Sequence, residues 1–162
     1  MTVGVPWDAA QAVRDLSAVD PVLGAAIARI GPCGLATRTR QPVVDSLVAA
    51  IVGQQLSTKA AATIHGRLLD AAGGRVSPGW LAAAPDDVLR GAGLSRAKVR
   101  AVRDLAAHAL DGRLPTDAEL DTLSDDAVVD ALTDVHGIGA WTVHMLLLFG
   151  LGRPDVFAPG DL

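Results

Sequence analysis

Cysteine is almost missing from this 162-residue sequence, tyrosine is wholly missing, and aromatic residues make up only 3% of it. The lone Cys33 excludes an internal disulfide, and a four-cysteine zinc or iron–sulfur site is excluded by count. Scarce aromatics beside abundant alanine disfavour a sandwich of aromatic-rich strands and suit packed helices. Long hydrophobic runs are lacking too; stretches such as residues 145–149 are too short to cross a bilayer. Residues 1–8 carry no basic segment followed by an apolar one, so a cytoplasmic protein with no membrane partner is expected. No fixed-period repeat, low-complexity tract or flexible linker interrupts the chain, which reads as one continuous helical domain over residues 1–162.

Net positive charge is absent as well: the formal charge is −4. That value conceals a polarity, because residues 1–113 hold 13 Lys and Arg against nine acids, whereas residues 114–162 hold Arg153 against nine acids. A basic patch in the first part can therefore still face phosphate, although the overall balance gives that idea no support. What the sequence has in quantity is hydrophobic residues, at 50%, enough for one substantial core.

Cap residues followed by apolar positions at three- and four-residue spacing predict the helices. Asp20-Pro21 opens one that closes at Gly31-Pro32, and residues 34–41 form a loop. Pro42 begins the most apolar segment, ending near Gln54-Gln55-Leu56 and expected to be the most buried helix. Ser57 caps the next, to about Ala72. Short helices follow over residues 78–83 and 86–91, then a longer one from Ser95 to about Leu110. Thr116 and Glu119 form a capping box, Ser124 caps a helix to about Asp134, and a last helix runs from Gly139 to Phe149.

The most informative segment spans residues 132–143, where Gly137 and Gly139 flank Ile138 between two helical patterns, a helix-hairpin-helix signature. The two glycines allow a tight turn that side chains would forbid, while Ile138 pins it to the core. The bare start of the second helix offers N–H groups and partial positive charge, so it can hold a DNA phosphate without lysine. Taken alone, the same segment is equally a tight interhelical turn. A second element lies beyond it: Asp155-Val156-Phe157-Ala158-Pro159-Gly160-Asp161, with Asp161 placed 22 residues after Gly139.

A hairpin, an apolar helix and a Gly/Pro-rich loop ending in aspartate together resemble the helix-hairpin-helix DNA glycosylase superfamily. The spacing and the Asp-Val-Phe lead-in are similar to its bacterial 3-methyladenine glycosylase II branch, as are Gly53-Gln54-Gln55-Leu56-Ser57 and Gly93-Leu94-Ser95-Arg96-Ala97-Lys98 upstream. The likeness runs from about Asp20 to Leu162. It implies an all-α fold of two helical lobes with a cleft between them, and a base-excision repair enzyme that extrudes a damaged nucleotide from the duplex.

The resemblance also implies residue roles. Asp161 is the catalytic carboxylate, which stabilises an oxocarbenium-like sugar and orients water; otherwise it is a capping or solvated acid. Gln55 wedges into the vacated stack, or is an ordinary helix-end glutamine. Trp141 stacks on a cationic alkylated purine, or packs in the core, and Met145 lines the same wall. Bifunctional relatives carry a Schiff-base lysine where this chain has Trp141, so hydrolysis by water to an abasic site is implied. Gly137, Gly139 and Thr142 face DNA from the hairpin. Arg96 and Lys98, in a basic run with Arg100 and Arg103, can lie along phosphates or form a solvated face. The four histidines have no metal-binding spacing, no cofactor is implied, and any cation would sit on the carbonyls of Thr133, Val135 and Ile138. The expected partner is double-stranded DNA containing alkylated bases, bound by a monomer.

Family domains continue beyond the aspartate with a helix that it caps, so the chain reads as C-terminally incomplete, with its last helices missing. Weak or no activity is expected of this length, because Asp161 lacks a cap partner and sits beside a free α-carboxylate whose like charge opposes its ionisation. The alternatives are a non-catalytic helix-hairpin-helix module, an inactive truncated glycosylase or a helical scaffold. Mismatch-adenine and thymine glycosylases fit less well, lacking their cysteine cluster here.

Overall fold

A computed structural model describes residues 7–31 and 40–160. Cys33, most of the loop expected over residues 34–41, and Asp161 with Leu162 lie outside the described residues. Among the described residues all regular structure is helical: α1 (Ala9–Val19), α2 (Pro21–Ile30), α3 (Val43–Gly53), α4 (Thr58–Ala71), α5 (Pro78–Ala83), α6 (Asp86–Ala92), α7 (Arg96–Leu110), α8 (Asp117–Leu120), α9 (Asp125–Thr133) and α10 (Ala140–Met145), followed by a π-helical turn (Leu146–Gly150). None of these helices is long and apolar enough to cross a membrane.

The expected caps form. Asp20 Oδ1 accepts from the N–H groups of Val22 (2.9 Å) and Leu23 (3.0 Å), with Pro21 in the first turn where its missing donor is not needed. Ser57, Ser77, Ser95 and Ser124 each accept from the third N–H of their helix. Thr116 and Glu119 make the reciprocal capping box, and the Thr116 N–H and hydroxyl together hold the Glu119 carboxyl below its ordinary value.

Two elements differ from the sequence reading. Asp8 caps a further helix, α1, which the sequence reading did not assign; α1 and α2 pack on each other and bury no residue. The last helix widens after Met145, where the Leu151 N–H reaches the Leu146 carbonyl at 2.8 Å. A Cβ at position 150 would come within 2.7 Å of Leu146 Cδ1, the end of a side chain that would have to shift.

The core centres on α3, as its composition predicts: Leu47, Val48, Ile51 and Val52 are all 0% exposed. Against them pack α4, α7 and the π-helical turn; α5 and α6 lie on α7, and α10 on α9. Val102 and Leu105 of α7, Leu132 of α9, Val143 of α10 and Leu147 complete the cluster. Burying each such side chain contributes about 1.5–3 kcal/mol. The segment after the π-helical turn is fixed by Arg153, whose guanidinium donates to the carbonyls of Leu120 (2.8 Å) and Leu123 (2.9 Å) and to Asp125 (3.0 Å). Trp7 Nε1 donates to the Gly152 carbonyl at 2.8 Å, tying the start of the described chain to the same segment.

Candidate active site

Three parts converge beside α3: the turn after it, the first half of α7, and the hairpin between α9 and α10. In the turn, Gln55 has φ = 57°, the one positive value among described non-glycine residues. A left-handed conformation disfavours an L side chain by about 1–2 kcal/mol, and such strain gathers at functional positions. The turn is held from α7, whose Lys98 Nζ donates to the carbonyls of Val52 (2.7 Å) and Gln54 (2.8 Å). Gln55 itself is exposed. Its neighbour Gln54 turns the other way, and its Nε2 donates to the Gly137 carbonyl at 2.8 Å, linking the turn to the hairpin.

The hairpin closes as its residues predict. The Ile138 N–H donates to the Val135 carbonyl at 3.0 Å, and the Ile138 side chain is 4% exposed, so it does pin the turn. Gly137 has φ = 85°, and a Cβ on it would lie 3.0 Å from Ala101 Cβ. Gly139 corrects the expectation made for both glycines: with φ = −100° and open space around a Cβ, it has a conformation any residue adopts. Its position leaves α10 without a side-chain cap and its first N–H groups uncovered by a bulky neighbour.

Between these parts lies a cleft of about 830 Å³ walled by Gln54, Gln55, Lys98, Trp141 and Met145. Trp141 is 45% exposed on that wall and so is not part of the core. Met145 also borders a depression of about 600 Å³ with Ser46 and Phe149, and one of about 350 Å³ with Val156 and Pro159. The Gly/Pro-rich loop that leads to Asp161 therefore shares a wall residue with the cleft; Asp161 lies outside the described residues.

Other sequence expectations change. Lys98 and Arg103 do not lie along an open basic stripe, because each is held on backbone carbonyls of another segment. Burial lowers the Lys98 pKa, and Arg103 donates to the carbonyls of Leu81, Ala82 and Ala84 and to Asp86, capping the end of α5. Arg96 and Arg100 are exposed. Thr142 is buried at 7% exposure, so its side chain is part of the cleft lining and is withdrawn from the DNA-facing surface expected for it. No group of three or more His, Cys, Asp or Glu that could hold a metal occurs among the described residues. The carbonyls of Thr133, Val135 and Ile138 are neutral oxygens, a donor class that hard cations accept; that of Val135 also takes the Ile138 N–H.

Sequence reading missed the hairpin's underside. Asp104 Oδ2 accepts the His136 N–H at 2.7 Å, and His108, 4% exposed, bridges the Asp104 carbonyl (2.9 Å) and Asp134 Oδ2 (3.0 Å), with Arg113 beside it. Burial alone lowers the His108 pKa, but its hydrogen bonds to Asp104 and Asp134 outweigh burial and raise it. The spacing of Asp104 and His108 on one helix face was visible in the sequence; their partner 26 residues further on was not.

The family model described as HhH-GPD superfamily base excision DNA repair protein matches residues 48–162. This chain belongs to the HhH-GPD superfamily. It is similar to DNA-3-methyladenine glycosylase 1 of Schizosaccharomyces pombe, 34% identical over 120 residues, covering 73% of this chain and 53% of that protein. DNA-3-methyladenine glycosylase 2 of Escherichia coli is 30% identical over 159 residues, covering 91% of this chain and 55% of that one. The chain thus spans about half the length of these curated relatives. Among solved structures, a DNA-3-methyladenine glycosidase from Bacillus halodurans superposes with a TM-score of 0.82 at 35% identity, covering 100% of this chain and 72% of that one. The S. pombe 3-methyladenine DNA glycosylase in complex with abasic DNA gives a TM-score of 0.83 at 30% identity, covering 94% and 75%. These HhH-GPD structures share the all-helical fold.

Proposed function

We propose that this HhH-GPD chain is a monofunctional DNA glycosylase that hydrolyses the N-glycosidic bond of alkylated purines such as 3-methyladenine in double-stranded DNA, acting as a cytoplasmic monomer. The observation that carries the reading is the cleft itself: a half-exposed Trp141 stands on its wall, strained Gln55 stands on its rim, and the hairpin with an uncapped helix start stands beside it. In this reading the hairpin at Gly137 and Gly139 holds a phosphate through backbone N–H groups, which positions the duplex without reading its sequence. Gln55 fills the gap left by the extruded nucleotide, and the purine enters against Trp141 and Met145.

An alkylated purine is already cationic, so its bond to C1′ breaks with little help from protonation, and a tryptophan face suits its charge. Asp161 then stabilises the positive charge growing on the sugar and takes a proton from the water that attacks C1′, giving a free base and an abasic site. With tryptophan at position 141, no amine stands there to form a Schiff base. Cations held by the carbonyls of Thr133, Val135 and Ile138 would add positive charge beside the bound phosphate.

Release of 3-methyladenine from methylated duplex DNA tests the reading. Release is expected to be weak at this length and full in a form extended by the helix that Asp161 would cap, where Asp161→Asn should lose roughly 10²-fold or more at unchanged duplex affinity. Duplex binding that ignores lesions, with no base release, would favour a non-catalytic hairpin module.

A further inference from the structure

The two parts assigned to DNA, the Gln55 turn and the hairpin, are separated by 82 positions in the sequence yet are fastened to one helix face. Lys98, Ala101 and Asp104 follow at three-residue spacing along α7, which brings them onto one side. Each makes one attachment. Lys98 Nζ holds the carbonyls of Val52 and Gln54 at 2.7 and 2.8 Å; Ala101 Cβ is the surface against which Gly137 is pressed; Asp104 Oδ2 holds the His136 N–H at 2.7 Å. The Gln54 amide, donating to the Gly137 carbonyl at 2.8 Å, closes the ring from turn to hairpin.

We propose that this face of α7 is a brace that fixes the wedge turn relative to the hairpin, and that Lys98 is its positioning residue and not a phosphate ligand. The inference deepens the glycosylase reading and rests on it for the roles of Gln55 and the hairpin. From Lys98 to Asp104 the helix rises by about 9 Å, a spacing that a rigid helix keeps constant. The ammonium suits its place because it satisfies two carbonyls at the end of α3, where the helix dipole favours a cation. Those contacts hold the chain up to the Gln54 carbonyl, in the peptide group that enters Gln55, so they oppose relaxation of its left-handed conformation. Extrusion of a nucleotide needs the wedge to enter while the neighbouring phosphate stays gripped, and a shared frame couples the two.

The test uses the full chain and the variants Lys98→Met, Lys98→Arg, Gln54→Ala and Gln55→Ala. Amide hydrogen exchange reads the brace without relying on activity, at Leu56 in the turn, bonded to the Gly53 carbonyl, and at Ile138 in the hairpin. Lys98→Met is expected to speed exchange at both amides by about 10-fold or more, and Lys98→Arg to restore most of the protection. Gln54→Ala, which removes only the link, is expected to speed Ile138 and leave Leu56 protected; it also decides the matter if Lys98→Met does not fold. On duplexes carrying 2-aminopurine, Lys98→Met should lose the extrusion signal as Gln55→Ala does, with the double variant no worse than either single one. Binding of undamaged duplex should keep its affinity within about 3-fold and its salt dependence. Exchange altered at Leu56 alone, or a salt slope reduced by about 1, would overturn the brace in favour of a local cap or a phosphate contact. A wild-type chain that extrudes no base defeats the glycosylase reading, while the exchange pattern still decides the brace.

Discussion

Gly137 and Gly139 look alike in the sequence and differ in the structure. At Gly137 the positive φ and the nearby Ala101 both resist a side chain, so Gly137→Ala should destabilise the protein by about 1–2 kcal/mol in urea titration and weaken duplex binding. At Gly139 neither obstacle exists, so Gly139→Ala should leave stability within about 0.5 kcal/mol, and any loss will appear only in DNA affinity. Trp141→Ala is expected to reduce base release while leaving binding to undamaged duplex unchanged, since its ring lines the cleft and is not part of the core. The importance of these positions was legible because the glycine pair lies between two helical patterns at a fixed spacing from the Gly/Pro-rich loop, and aromatics are few. The inward turn of Lys98 was not, because a basic residue's partners at the end of another helix leave no mark in its own neighbourhood.

Within the elements, caps were readable and packing partners were not. Ser95, Thr116 and Ser124 act within three residues of themselves, so local sequence determines them. The π-helical turn escaped prediction because it is a shift in backbone pairing over five residues, which apolar spacing does not record. The link between α7 and α9 through His108 has a pH consequence. Its pKa is raised above the ordinary 6.5 in the folded state, with Asp104, Asp134 and Arg113 as its charged neighbours. A group raised on folding stabilises fully below its unfolded value, and that contribution is lost as pH rises through the folded value. Thermal melts should therefore decline from about pH 6 to 8 in the wild type, and the decline should flatten in His108→Gln. An unchanged slope would remove the imidazolium from the account.

For the whole molecule, stability resides in the cluster around α3. Leu47→Ala should lose about 2–5 kcal/mol, whereas Val22→Ala on α2, where Val22 is 82% exposed, should stay within about 0.5 kcal/mol. Charge at this scale acts on DNA affinity. With Lys98 and Arg103 held on carbonyls, few cations remain to displace counterions near the cleft, and Arg96→Ala is expected to lower the salt slope by about 1. Amino-acid order by itself determined the helical class, the main caps, the hairpin and the family likeness, because each depends on residues within a turn or two or on a fixed motif spacing. Only the tertiary structure decided which basic side chains face solvent, which glycine is sterically required, and that one helix joins the turn to the hairpin. Those outcomes depend on backbone atoms brought together from distant segments, and side-chain identity carries no record of such proximity.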